Sequence, residues 1–470
     1  MTVTEVSASD VARRRSLAKQ LRASAPRSSH AAWEPSAVRA DPVEILLAQD
    51  RTRLSQLVPV RHARMSESPF AFFRGSAEVM AADLVDTPTT GLTVQLCGDA
   101  HLANFGSYAS PERRQVFDIN DFDETLPGPW EWDVKRLATS VVLAARDNGF
   151  DDQVAGGAAV RAANAYRVAM SRFAADDALD VWYAQASIDL IAPVAARESG
   201  RRQLREFEAR ARRRTSQRLL SHLTETVDGR HRFRSDPPLL VPLRDLETVL
   251  DPAALQDQIR QSVAAYTTSL HAEHRHLLSR FRLMDMALKV VGVGSVGTRC
   301  VAVLLEGMDH GEPLVLQAKE ATHSILEAYL PASVYAHHGE RVIQGQRLIQ
   351  ATSDIFLGWS GTESGPDYYW RQLQDRKGPV VMANLRPSLL GPYAALCGWT
   401  LAHAHARSGD AVSIAAYLGS GPCFDEAMRT FALSYAAQAE NDHARFVADG
   451  RTAAEDGSGA VAAPGKTGSR

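Results

Sequence analysis

Strand-like sequence in this chain is confined to two blocks far apart, and the long helical stretch between them restricts the fold more than any other feature. The first block holds LTVQLCGD (92–99) and QVFDIND (115–121), joined by the polar loop AHLANFGSYASPERR and followed by the turn-rich FDETLPGPWEWD. The second begins near 286 with ALKVVGVGSVGTRCVAVLLEG and runs through PLVLQAKEA, DIFLGWS and DYYWRQLQD, with a helix expected over about 332–350. From about 133 to 285, apolar residues recur at three- and four-residue steps, as on an amphipathic helix, with an interruption near VDGRHRFRSDPPLLVP. Helix is also expected over 43–85, broken at the Ser-Pro of SESPFAFFRGS, and again from LRPSLLGPYAALCGWT to the end of DHARFVA. Strands and helices segregate instead of alternating, so the expected class is α+β, and no internal repeat is visible.

These textures divide the chain into a flexible segment (1–40), a part carrying two polar loops (41–145), a helical insertion or substrate region (146–285), a β-rich part (286–376), a helical completion (377–447) and a disordered tail (448–470). A chain of 470 residues can bury a large core, and its formal net charge of −3 gives no global attraction to nucleic acid or to an anionic membrane. The arginine run RRQLREFEARARRRTSQR (201–218) contains acidic residues at helical spacing, so it reads as a solvated helix face, with phosphate binding the lesser option. The four cysteines, Cys97, Cys300, Cys397 and Cys423, lack CxxC spacing, which argues against a zinc site or a disulfide framework and for a reducing cytoplasm. Neither a signal-peptide core nor eighteen consecutive apolar residues occurs, so no membrane partner is expected.

The residues that can carry chemistry start at Gly98-Asp99-Ala100-His101-Leu102-Ala103-Asn104-Phe105, where a strand ends at an aspartate and an asparagine follows five positions later. An aspartate there can accept the proton of an attacking hydroxyl, and an asparagine oxygen is a hard ligand for Mg²⁺. A second strand delivers Asp118-Ile119-Asn120-Asp121-Phe122-Asp123-Glu124, carboxylates suited to holding Mg²⁺ against phosphates. Downstream, Gly292-Val293-Gly294-Ser295-Val296-Gly297 lies between two apolar strands. A dinucleotide fingerprint requires a strand running into a helix, but TRCVAVLLE reads as a strand, which favours a glycine-rich hairpin. Lys319 in LQAKE can neutralise phosphate charge. Arg74, after an aromatic cluster, is a candidate for an anionic substrate or for a buried ion pair. His403 and His405 stand two apart on an expected helix and cannot face one metal.

Together the two loops resemble the HGDxHxxN and IDFD elements of the aminoglycoside and choline kinase side of the protein-kinase-like superfamily. The resemblance gives Asp99 the place of the catalytic aspartate, His101 that of the second motif histidine and Asn104 that of the metal-binding asparagine. Spacing from Asn104 favours Asp118 as the metal aspartate, whereas the Asp-Phe match favours Asp121. Asp133, in GPWEWD, takes a structural place, and Cys97 stands where the family has a histidine. The resemblance further implies that Gly292, Gly294, Ser295, Gly297 and Lys319 handle ATP. The lysine's glutamate partner would be Glu327 or, preferably, Glu340. PYAALCGWTLAHAHARSGD is similar to the helix that precedes the catalytic loop in that superfamily, so the parts follow the usual order only after a cyclic shift. This implies a two-lobed kinase-like fold, circularly permuted, with a large helical insertion. The arrangement from FFRGS to HARSGD also resembles a large bacterial domain-of-unknown-function family, over about residues 40–445. The implied activity is Mg-ATP-dependent phosphotransfer to a hydroxyl- or amine-bearing small molecule, with a protein acceptor second. The alternatives are a nucleotidyl transferase, an ATP-binding pseudokinase regulator and a metallohydrolase built on Asp99, His101, Asp118 and Asp121.

Overall fold

The computed structural model describes residues 8–186, 222–227, 229–246, 252–290, 292–361, 365–373, 378–379, 382 and 385–451. The arginine run at 201–218 and the tail beyond 451 lie outside the described residues. Mixed helix and strand are present, segregated as expected, and no described helix is long and apolar enough to cross a membrane.

The chain opens with α1 (Ala8–Ser24), α2 (Pro42–Asp50), α3 (Val58–Ser66), α4 (Pro69–Gly75) and α5 (Ala77–Leu84). Residues 8–40 are tied to the rest of the chain, in contrast to the flexible segment expected over 1–40. Arg22 donates to the carbonyls of Tyr417 (2.9 Å) and Ala416 (2.5 Å), and Arg27 to that of Leu418 (2.7 Å). Guanidinium groups thereby satisfy carbonyls that the end of a later helix leaves unpaired.

The first strand block follows as β1 (Thr93–Leu96), β2 (Phe105–Ala109), β3 (Gln115–Ile119) and β4 (Leu126–Pro129). Antiparallel β1–β4 and β2–β3 pairs hold two loops, 97–104 and 120–125, side by side. Then come α6 (Trp130–Asp147), α7 (Asp152–Phe173) and α8 (Ala178–Tyr183), with small strands β5 (Thr224–Val227), β6 (Arg230–Phe233) and β7 (Leu240–Pro242) further on. Among the described residues of 146–285, β5, β6 and β7 fall at the interruption near VDGRHRFRSDPPLLVP and a further strand begins at Phe281, while α7 packs most extensively against a C-terminal helix in the main core, so this span is not a helical insertion set apart from it.

After α9 (Pro252–Ser269) and α10 (Ala272–Leu278), the second block forms β8 (Phe281–Lys289), β9 (Cys300–Gly307), β10 (Pro313–Ala321), α11 (His338–Ile349), β11 (Gly358–Ser360) and β12 (Asp367–Gln372). Strand β13 (Gly378–Pro379) pairs with β2, and α12 (Pro387–Ser408), α13 (Ala411–Leu418) and α14 (Cys423–Ala448) complete the chain. One antiparallel sheet runs β11-β12-β10-β9-β8-β7. Alternation along its strands sends Val303, Leu305, Leu314, Leu316 and Ala318 to one face, where they pack with Tyr266 of α9 and Trp370. The opposite parity on β10 belongs to Val315, Gln317 and Lys319. The main core joins β1, α6, α7, α12 and α14, and a smaller cluster gathers Val43, Leu46, Met65, Phe72, Val79 and Phe446 around Val293 of the glycine-rich loop.

Candidate functional site

Loop 97–104 is shaped by one face of α6. Asp133, Arg136 and Ser140 recur at helical spacing and so point the same way. The Asp133 carboxylate accepts the amides of Cys97 (2.8 Å) and Gly98 (3.2 Å). Arg136 Nε donates to Asp99 Oδ1 (2.5 Å), and Ser140 Oγ accepts the amide of Leu102 (2.8 Å). Gly98 has φ +83°, and a Cβ on it would lie 2.3 Å from the carbonyl oxygen of Glu124, so only glycine lets the two loops touch.

Burial raises the pKa of Asp99, against the pull of Arg136 and Arg74. His101 Nε2 lies 3.6 Å from Asp99 Oδ2, while its Nδ1 is buried without a partner among the described residues. Burial, then the charges of Arg74 and Arg136, lower the His101 pKa and keep the ring neutral. Arg74 places its charge beside Asp99 and His101, and its Nε is buried without a partner. Asn104 Nδ2 donates to the Asp99 carbonyl (2.7 Å), which leaves the amide oxygen as the free end of that side chain.

The acidic loop separates its carboxylates. Asp118 points its oxygens at the backbone amides of Ile119 (2.8 Å) and Ala351 (2.8 Å), and burial pushes its pKa up to about 7. Asp121 keeps a buried Oδ1 with no hydrogen-bond partner among the described residues. Burial and then neighbouring Asp123 raise its pKa, opposed by Lys319 and Arg371. Asp123 contacts Lys319 Nζ directly and accepts from the Tyr369 hydroxyl (2.6 Å). Burial works against its charge, but Lys319 and Tyr369 hold its pKa below the usual carboxylate range.

Sheet register explains the cationic side. Lys319 on β10 lies opposite Tyr369 on β12, and Gln317 opposite Arg371, so all four share the face turned to the acidic loop. Burial disfavours the Lys319 charge, yet Asp121 and Asp123 outweigh it and raise the pKa. Arg371 donates to the Asn120 carbonyl (3.1 Å) and to Gln317 (2.9 Å). Ser295 Oγ lies 2.7 Å from Lys319 Nζ, which brings the β8–β9 loop to the same point. That loop is fastened from the far side: Arg64 donates to the Gly292 carbonyl (2.5 Å), Arg53 to Val296 (2.6 Å), and the Leu54 amide to Gly297 (2.8 Å). Gly294 packs on the Arg74 carbonyl, and Gly297 (φ +94°) against the Arg53 side chain.

The structure thus brings together Asp99, His101, Asn104, Asp121, Ser295, Lys319 and the loop glycines. The expected lysine–glutamate pair is not formed. Glu340 makes no ion pair among the described residues, because α11 turns its neighbour Arg341 to the acidic loop, onto the carbonyls of Asp123 (2.8 Å) and Thr125 (2.8 Å). Glu327 closes a capping box with Ser324, and Asp123 takes the lysine. His403 and His405 are buried on α12, bonded to the Val181 carbonyl (2.8 Å) and to Tyr166 and Asp133 respectively. Arg136, Arg341, Tyr369 and Arg371 escaped the sequence reading, and Asp123, expected only as one of several carboxylates for Mg²⁺, is the partner of Lys319. A helical-face comparison of 133, 136 and 140 would have found Arg136, and period-two alternation in DYYWRQ would have found Tyr369 with Arg371.

Residues 53–449 match the model of a family described as an uncharacterized protein conserved in bacteria (DUF2252). No curated protein and no solved structure matches the chain.

Proposed function

The chain belongs to the DUF2252 family, and we propose that this member is a Mg-ATP-dependent phosphotransferase with a kinase-like cleft written in circularly permuted order. The observation that carries the reading is the meeting of Lys319 and Ser295 with Asp123, partners 196 and 172 positions apart in the chain. A glycine loop between two antiparallel strands, a lysine on the next strand and a helix after it are the parts that cradle nucleotide phosphates in kinases. Here they lie after, not before, the loop that carries Asp99, and they meet the acidic loop that packs against it.

Asp121 and Asn104 are the residues fit to hold Mg²⁺. A buried carboxylate oxygen without a donor is costly unless a cation meets it, and Asp121 Oδ1 is such an atom. Asp118 is left out of the set because both its oxygens accept backbone amides. Bound there, Mg²⁺ would supply positive charge against phosphate oxygens. Lys319 neutralises further phosphate charge once Asp123 shares it, and Ser295 with the loop amides lines the same space. Asp99, oriented by Arg136 and raised in pKa by burial, accepts the proton of the acceptor hydroxyl or amine. Arg74 sits where an anionic group on the acceptor or the transferred phosphoryl would be met. The acceptor is a small molecule in this reading, with a protein second, since GDAHLAN is closer to small-molecule kinases than to the HRD loop of protein kinases.

Incubation of the protein with Mg²⁺ and γ- or α-labelled ATP in a metabolite extract tests the reading. Label from the γ position should enter a small molecule. Label from the α position entering protein would replace it with nucleotidyl transfer. Binding of ATP without transfer of either label would leave a regulator.

A further inference from the structure

At the end of β10 and the start of α11 lies a cluster that the proposed cleft does not use. We infer that His323, Glu327 and His338 form a binding site for a first-row transition dication, zinc being the expected occupant, which ties the strand carrying Lys319 to the helix carrying Arg341.

One donor atom from each of the three side chains lies within 4.8 Å of the others. Two imidazoles and one carboxylate are a common donor set for such ions, with a position left for water. The imidazole rings of His323 and His338 stand 4.1 Å apart, centroid to centroid, and His323 Nδ1 is 3.4 Å from Glu327 Oε2. A surface pair of histidines would also produce this proximity. What points to a ligand is His338 Nδ1, which is buried and has no hydrogen-bond partner among the described residues.

The groups around the cluster orient it. Glu327 Oε1 accepts the Ser324 amide (3.2 Å) and has Arg341 Nε at 3.9 Å, which leaves Oε2 towards His323. Asp367 accepts the backbone amide of His338 (2.7 Å) and lies 3.2 Å from His337 Nε2, fixing the first turn of α11. Ligand atoms at about 2.0–2.2 Å from zinc stand closer together than these do. The His323 side chain, 77% exposed, is free to close that gap. Consequently a bound ion would fasten the start of α11 to a point four residues beyond Lys319, one residue-turn from the Arg341 contacts to the acidic loop.

The inference does not depend on nucleotide binding. It is tested by titrating chelator-stripped full-length protein with ZnCl₂ in a calorimeter, without ATP, in a Cys423→Ser background that removes the exposed thiol. One tight equivalent is expected. His323→Ala and Glu327→Gln should each weaken it by roughly 10-fold to 100-fold or more, the loss of a direct ligand being at least as large as the loss of a supporting group. His323 is the primary variant because its exposed side chain can be removed without disturbing α11, and circular dichroism will verify the fold. No zinc uptake by the background protein, or unchanged affinity in His323→Ala, would overturn the inference.

Discussion

Asp121→Asn should make the metal-free protein slightly more stable while abolishing its response to Mg-ATP. Asp121 is held in the fold at a cost. Its Oδ1 is buried without a donor, it faces Asp123, and burial with that repulsion outweighs Lys319 and Arg371, so its pKa is raised. A raised carboxylate pKa means that the ionised form destabilises the folded state at neutral pH. An orphaned buried acceptor costs about 1–3 kcal/mol, and an uncharged isostere that keeps the shape recovers part of this, on the order of 1 kcal/mol. For a chain this long, that is a rise in Tm on the order of 1 °C. Saturation with Mg-ATP at about 100 times its Kd should stabilise the wild type by about 2.7 kcal/mol through mass action, and the variant by little. The order of the two melting temperatures should therefore invert between EDTA and Mg-ATP, read by scanning calorimetry. A variant that melts several degrees below the wild type in EDTA, or that keeps the full Mg-ATP shift, would refute the reasoning. Either result would mean that Asp121 is an ordinary structural acceptor.

Three further outcomes follow from the same geometry. Asp99→Asn should retain Mg-ATP binding by calorimetry but lower labelled-phosphate transfer by about 10²-fold or more, since a positioned base contributes on that scale. Gly98→Ala forces a side chain into φ +83° and against the Glu124 carbonyl; urea denaturation should show a loss of more than about 1 kcal/mol, and transfer should fall with it. Glu124, whose Oε2 accepts the Ile325 amide (2.8 Å), is pushed by burial from an ordinary 4.5 up to about 7. Its folded pKa exceeds the unfolded one, so its contribution to stability is fully present below about pH 4.5, declines as pH rises, and is lost above about 7. Glu124→Gln should therefore flatten the stability profile across that window by up to about 1 kcal/mol per pH unit, measured by denaturant midpoints at successive pH values.

Much of the frame was legible from periodicity. Both strand blocks form, β9 follows the glycine loop as TRCVAVLLE suggested, and helix α11 falls inside the expected span. Loop 98–104 and Lys319 stood out because each joins a polar residue to a strand end or centre. Pairings between distant elements were not legible. Which acid meets Lys319 is decided by how the acidic loop lies on the face shared with Tyr369, and by α11 presenting Arg341 in place of a glutamate. The different surroundings of Asp118 and Asp121 were not legible either, because one of the amides that occupy Asp118 is that of Ala351, 233 positions away. The flexible segment expected over 1–40 differs from the structure for a related reason: the acceptors that hold Arg22 and Arg27 are carbonyls at 416–418, far along the chain.

The distance along the chain between the two sides of the cleft also sets a schedule. When the ribosome has made the acidic loop, the lysine that neutralises Asp123 is still 196 residues from being built and the arginine that grips its backbone 218. At about 5–20 residues per second, the loop waits roughly 10–40 s for its lysine. Throughout that interval the first-made loops can hold secondary structure but not their final electrostatic balance. The electrostatic balance of the acidic loop is thus a late event, and a chain stalled before β10 would carry Asp121 and Asp123 without Lys319.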